Sequence, residues 1–126
     1  MPKIEKFEDI GVWKIARELV NDLYKITQTV PFSRDWGLKD QLQRASVSIM
    51  LNIAEGYERG SNKEFIQFLF IAKASAGEVR SLSYVAYDQK YLDEKVFSNL
   101  SSKASVISRQ IKGFIVYLQK SNIKQR

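Results

Sequence analysis

Apolar side chains recur along this chain every three to four residues, and no run alternates cleanly with a period of two. The pattern predicts helices throughout and no strand. A first helix is expected from about Asp9, a candidate N-cap, to Thr29, with Pro31 stopping it. Trp13, Ala16, Val20, Leu23 and Thr27 form one stripe on it, and Val12, Ile15, Leu19 and Ile26 form a second, so it needs two neighbours. A second helix starts near Asp35 and ends between Tyr57 and Arg59. After a Gly60-Ser61-Asn62 turn, Ser61 and Glu64 stand at capping-box spacing and open a third helix that reaches about Lys90. Asp93 opens a fourth, where Phe97, Leu100, Ala104, Ile107, Ile111, Phe114 and Leu118 repeat as the seam of a bundle helix. Short connections force antiparallel neighbours. The predicted fold is all-α, an antiparallel up-down-up-down four-helix bundle forming a single domain over residues 1–126.

The helical wheel adds a polar feature. At about 100° per residue, Arg44, Ser48, Asn52, Glu55 and Arg59 fall in one arc of the second helix, and Glu64, Gln67, Ser75 and Glu78 share one stripe of the third. Around a tight turn at Gly60, facing residues carry numbers with a near-constant sum. Arg59 then meets Glu64, Glu55 meets Gln67, Ser48 meets Ser75 and Arg44 meets Glu78, and every charged pair is complementary. Polar groups beside so much apolar surface need partners, so this ladder is read as a structural network that sets register. The competing reading is two solvated faces with local pairs such as Glu55 with Arg59. Coupling between Arg44 and Glu78 is the expectation to test.

The third helix opens with Phe65-Ile66-Gln67-Phe68-Leu69-Phe70-Ile71, apolar around most of its circumference. A helix apolar on all sides has to be buried on all sides, which a lone bundle cannot do. Phe65, Ile66, Phe68, Leu69 and Phe70 are therefore assigned to a homo-oligomer contact. The alternatives are a ligand groove, or a surface covered by Trp36 and the loop between the first and second helices. Trp36 is read as a packing anchor, not a base-stacking platform.

Composition narrows the chemistry. The chain has no cysteine and no histidine, which removes disulfides, thiolate metal sites, the usual general base and the commonest metal ligand. Glu55, Glu58, Glu64 and Glu78 suggest a carboxylate-bridged metal site, but such bundles add Glu-x-x-His pairs, and Arg44 and Arg59 would neutralise the acids. The expectation is no enzyme, no metal and no cofactor. The N-terminus lacks the apolar core of a signal peptide and no apolar run spans a bilayer, so the expected location is cytoplasmic, with no membrane partner.

Net charge is +6 and unevenly placed, because residues 95–126 hold seven basic residues and no acid. On the fourth helix Lys95, Arg109, Lys112, Lys120 and Lys124 cluster opposite the apolar seam, with Ser98, Ser102 and Ser105 between them. Lysine and arginine with small hydroxyl side chains suit phosphate contacts, whereas a plain solvated helix face would look similar. With no recognisable base-reading motif, nucleic-acid binding would be electrostatic and poor in sequence preference.

Specific residues carry a family resemblance over nearly the whole chain. They are Phe7-Glu8-Asp9-Ile10, Val12-Trp13-Lys14, Ala16, Gly37-Leu38, Gln41, Arg44-Ala45, Ser48-Ile49, Asn52-Ile53-Ala54-Glu55-Gly56, Arg59, Ser61, Glu64-Phe65, Phe68-Leu69, Ile71-Ala72, Ser75 and Glu78. In these the chain resembles the bacterial four-helix bundle proteins encoded by intervening sequences in 23S ribosomal RNA genes. It departs from them at Val30-Pro31-Phe32, at Gln43 in place of a frequent basic residue, and at Ala74 in place of a frequent glycine. It is also similar to the accessory variability proteins of diversity-generating retroelements. The resemblance implies a basic pentamer with RNA or DNA as partner, and a protein partner such as a reverse transcriptase. The combined expectation is a non-enzymatic homo-oligomeric adaptor that binds RNA or DNA through a basic surface, the alternative being a protein-interaction scaffold without nucleic acid.

Overall fold

A computed structural model describes residues 3–121, all of whose regular structure is helical. After a 3₁₀ turn at Phe7–Asp9 come α1 (Gly11–Thr27), a second 3₁₀ turn at Phe32–Arg34, α2 (Trp36–Glu58), α3 (Asn62–Asp88) and α4 (Glu94–Lys120). Consecutive helices pack side by side and α4 returns to α1, which closes a four-helix bundle.

Three of the four expected helix starts are capped as the sequence predicts. The Asp35 carboxylate accepts from Leu38 N at 3.2 Å, Ser61 Oγ from Glu64 N at 3.3 Å, and Asp93 from Val96 N at 2.8 Å. Asp9 differs: its carboxylate accepts from the backbone N–H of Glu5 and Lys6 and so closes the preceding 3₁₀ turn, while α1 starts at Gly11 and ends at Thr27. At the end of α3, Lys90 takes a left-handed conformation (φ 66°) and Tyr91 N donates to Ala86 O at 2.9 Å, a turn that releases the chain toward α4.

The core is filled by Leu19 and Leu23 of α1, Leu42, Ile49 and Ile53 of α2, Phe65, Leu69 and Val79 of α3, and Leu100, Ile107 and Ile111 of α4. Each such side chain contributes about 1.5–3 kcal/mol of burial. The buried face of α1 draws on both predicted stripes, Val12 and Leu19 joining Ala16, Leu23 and Thr27. In α4 the predicted seam is buried except for Phe97, which is half-buried under Tyr84 and Tyr87, and Ile115 joins it.

Two linkages organise the bundle's loop end and its α1–α2 contact. Tyr91 stacks on Phe32 with ring centroids 5.0 Å apart and donates its hydroxyl to Asp35 at 3.0 Å, joining the two loops. That acceptor holds the Tyr91 hydroxyl above the ordinary tyrosine range. Gln43 Nε2 donates to Thr27 Oγ1 at 3.1 Å, and Thr27 donates onward to Leu23 O at 2.7 Å, so Gln43 serves the α1–α2 contact. Trp36 corrects an expectation. It is 75% exposed, with the Lys39 ammonium 4.9 Å from its ring, because the first turn of α2 points it away from the bundle; Phe32 fills that end instead.

Candidate functional site

The α2–α3 contact is the most extensive in the molecule, and Gly56 lets the two helices come close. A Cβ there would stand 2.7 Å from Phe68 Cβ and 2.9 Å from Phe65 Cδ1. The turn at Gly60 (φ 89°) then returns the chain along the same line. This geometry brings two of the four predicted rungs together, Ser48 with Ser75 and Arg59 with Glu64. Ser75 Oγ donates to Ser48 Oγ at 2.9 Å, and Asn52 Nδ2 donates to Ser48 O at 2.8 Å and to its Oγ at 3.0 Å. Arg59 lies 3.8 Å from Glu64 and 3.6 Å from Glu55, with its guanidinium 4.9 Å from the Phe68 ring.

The upper rung does not form. Arg44 Nε donates to Asp40 at 2.9 Å on its own helix, an i,i+4 alternative that needs no reach across the seam. Glu78 has no ion-pair partner among the described residues, although it shares a surface recess with Gln41, Arg44 and Ser48. Glu55 likewise pairs along α2, with Arg59, and Gln67 is exposed. The ladder is thus a hydroxyl and amide seam with charged, solvated ends. Such ends contribute about 0–1 kcal/mol each.

The third helix divides its apolar residues differently from the expectation. Phe65 and Leu69 are inside the subunit core, Ile66 and Phe68 are half-buried on its flanks, and Phe70 alone of the assigned five is exposed, at 53%. Phe65 and Leu69 are therefore unavailable to a second chain: they project inward, Phe65 packing edge-on against Phe114 of α4 at 5.2 Å. The uncovered apolar surface of α3 is instead Phe70, Ile71, Tyr84 and Val85, and Leu51 of α2 is 59% exposed.

On α4, Lys95, Arg109, Lys112 and Lys120 are all exposed, and none has an ion-pair partner among the described residues. Lys124 lies outside those residues. A fifth cation, Lys103, escaped the sequence reading. It points toward α1, where its ammonium lies 2.7 Å from Asp22 and 3.7 Å from Glu18. The Asp22 hydrogen bond, with the charges of Asp22 and Glu18, holds the lysine above its ordinary pKa against the opposing pull of partial burial. No signal in the sequence could have found it, because no turn joins α1 to α4 and sets their offset.

This clasp crosses the most open contact of the bundle. A groove of about 650 Å³ runs between α1 and α4, with Ile15, Ile26, Val96 and Val106 among its lining. A second of about 590 Å³, lined by Ile4, Gly113 and Tyr117 among others, continues it toward the end of α4. Lys25 stands on the first groove and Lys14 on the second. Among the described residues no group of three or more Asp or Glu is placed to hold a metal, and no helix is long and apolar enough to cross a membrane.

No curated protein matches the chain. Among solved structures it is similar to a protein of unknown function from the S23 ribosomal protein family of Bacteroides thetaiotaomicron VPI-5482. The TM-score is 0.74 at 22% identity over 82% of this chain and 97% of that one, which shows a shared fold. The profile of the 23S rRNA-intervening sequence protein family matches residues 8–113, a stretch that takes in the whole ladder, and the chain belongs to that family.

Proposed function

We propose that this protein is a non-enzymatic, homo-oligomeric adaptor that binds RNA or DNA through the outer face of α4. The observation that carries this reading is the row of exposed cations Lys95, Arg109, Lys112 and Lys120 without ion-pair partners among the described residues. Cations left free of local acids are available to phosphate oxygens and release counterions when they engage them. Lys124 extends the same sequence stripe. The family's name, which refers to sequences interrupting 23S ribosomal RNA, supports structured RNA as the first ligand to try. Self-association is supported by the uncovered apolar side chains Phe70, Ile71 and Leu51, and a pentamer is the state that the resemblance to related proteins implies.

The same apolar surface favours one other reading, a scaffold for a protein such as a reverse transcriptase, with no nucleic acid bound. Absolute mass in solution, measured with and without a structured RNA across a salt series, separates the two. The adaptor gains RNA mass at low salt and sheds it at high salt, and changing Lys112, Lys120 and Lys124 to glutamine reduces the salt slope by about 2 to 3. A multimer that ignores RNA at every salt concentration makes the scaffold the better reading.

A further inference from the structure

We propose that the outer face of α3 in one subunit docks into the α1–α4 trough of a second copy, with Glu78 and Asp88 of the first chain meeting Lys14 and Lys25 of the second. The contact rests on the homo-oligomer reading above and gives it two named surfaces. The two grooves between α1 and α4 are collinear, since each pairs positions whose numbers sum to nearly the same value. They are separate recesses that share no lining residue and follow one another along the seam, here called the trough. Its acids are engaged: Asp22 and Glu18 by Lys103, Asp9 by backbone N–H groups. Its exposed lysines Lys14 and Lys25 have no ion-pair partner among the described residues. The trough therefore presents apolar walls and two free positive charges. They stand eleven residues apart on one helix, about 16 Å along its axis.

The outer face of α3 has the complementary make-up. Phe70, Ala74, Gly77, Ser81 and Val85 project from it and are exposed. Glu78 and Asp88, also exposed and without ion-pair partners among the described residues, stand ten residues apart, about 15 Å. Arg44, which shares the recess of Glu78, is held by Asp40. Gly77 leaves open space on this face: a Cβ there would meet nothing within 4 Å in its own chain, as at Gly37 and Gly113, so a second chain can come close over that point. Free acids then face free lysines at matched spacing, and apolar side chains enter an apolar trough. Because the two faces differ, the contact is heterologous and each subunit uses both, which closes a ring when the rotation closes.

The test uses the full chain, free of RNA, at low salt. Lys14→Glu with Lys25→Glu and, separately, Glu78→Lys with Asp88→Lys should each weaken assembly at least tenfold by light scattering, while circular dichroism stays native. All four reversals in one chain should restore the multimer. Gly77→Trp, placed where the subunit has room, should keep its helix content and also shed subunits. A multimer whose mass is unchanged in both double variants, or a folded quadruple variant that stays dissociated, overturns this contact while leaving self-association intact. A native chain with the mass of one subunit, 14.6 kDa, overturns the oligomer reading itself.

Discussion

The α2–α3 and α1–α4 contacts are both antiparallel helix pairs with apolar side chains between them, yet they pack in opposite ways. Across α2–α3 a glycine admits a phenylalanine backbone at contact distance, and hydroxyls meet at 2.9 Å. Across α1–α4 the helices leave a trough hundreds of Å³ in volume, bridged by one lysine. Hydrophobic content alone does not decide closeness. A position without a side chain, at the point where two helices converge, does, because helices separate by the bulk of what lies between them.

The largest expected effect that separates the two comes from matched truncations. Ile49→Ala, in the fully buried core beside α3, should cost about 2–5 kcal/mol in urea unfolding. Ile15→Ala, at the half-exposed trough wall, should cost no more than about 1 kcal/mol in the isolated subunit. A large cost at Ile15 in the assembled protein would show that another chain fills the trough.

Glycine substitution should reverse sign between the seams. Gly56→Ala forces Phe68 and Phe65 apart and should destabilise by about 1–3 kcal/mol. Gly113→Ala, where a Cβ meets nothing within 4 Å, should stabilise the subunit by about 0.5–1 kcal/mol. Equal signs would mean that α2 and α3 are not in such close contact in solution.

The clasp gives the third comparison. Lys103→Met should cost about 1 kcal/mol at neutral pH, the value of a charge-assisted hydrogen bond reduced by partial solvent screening. Because its pKa in the folded chain is raised, this contribution is fully present below the ordinary lysine value near 10.4 and is lost as pH rises through the raised one. The unfolding midpoint of the native chain should therefore fall faster than that of the variant above about pH 10. The comparison belongs in a Tyr91→Phe background, since the Tyr91 hydroxyl, also raised, loses its hydrogen bond to Asp35 over the same alkaline range.

The smallest effect is a null one. Arg44→Gln and Glu78→Gln should be additive within about 0.5 kcal/mol, since Arg44 bonds Asp40. A larger coupling would restore the upper rung that the sequence suggested.

The four helices were legible because three-four periodicity and side-chain caps are local properties. The Ser48–Ser75 rung was legible for a different reason: a tight turn at Gly60 ties two helices into one register, so a count of positions suffices. Lys103 and its two acids were not found because α1 and α4 are not joined by a turn, and no local feature fixes their offset. Arg44 failed through competition, a nearer acid on the same helix outbidding the one across the seam. Phe65 and Leu69 were misassigned because a helix apolar all round carries little internal sign of which side turns inward. Trp36 shows the limit at a helix end, where no periodicity constrains direction.

The open α1–α4 seam also bears on how the molecule breathes. Packed less extensively against α2 than α3 is, and only loosely against α4, α1 can separate from the remaining three helices at a lower free energy than any of them can leave, so its amides would exchange with solvent first. A chain that fills the trough would suppress that opening. The rate at which α1 exchanges its hydrogens would then report whether a second chain is seated there.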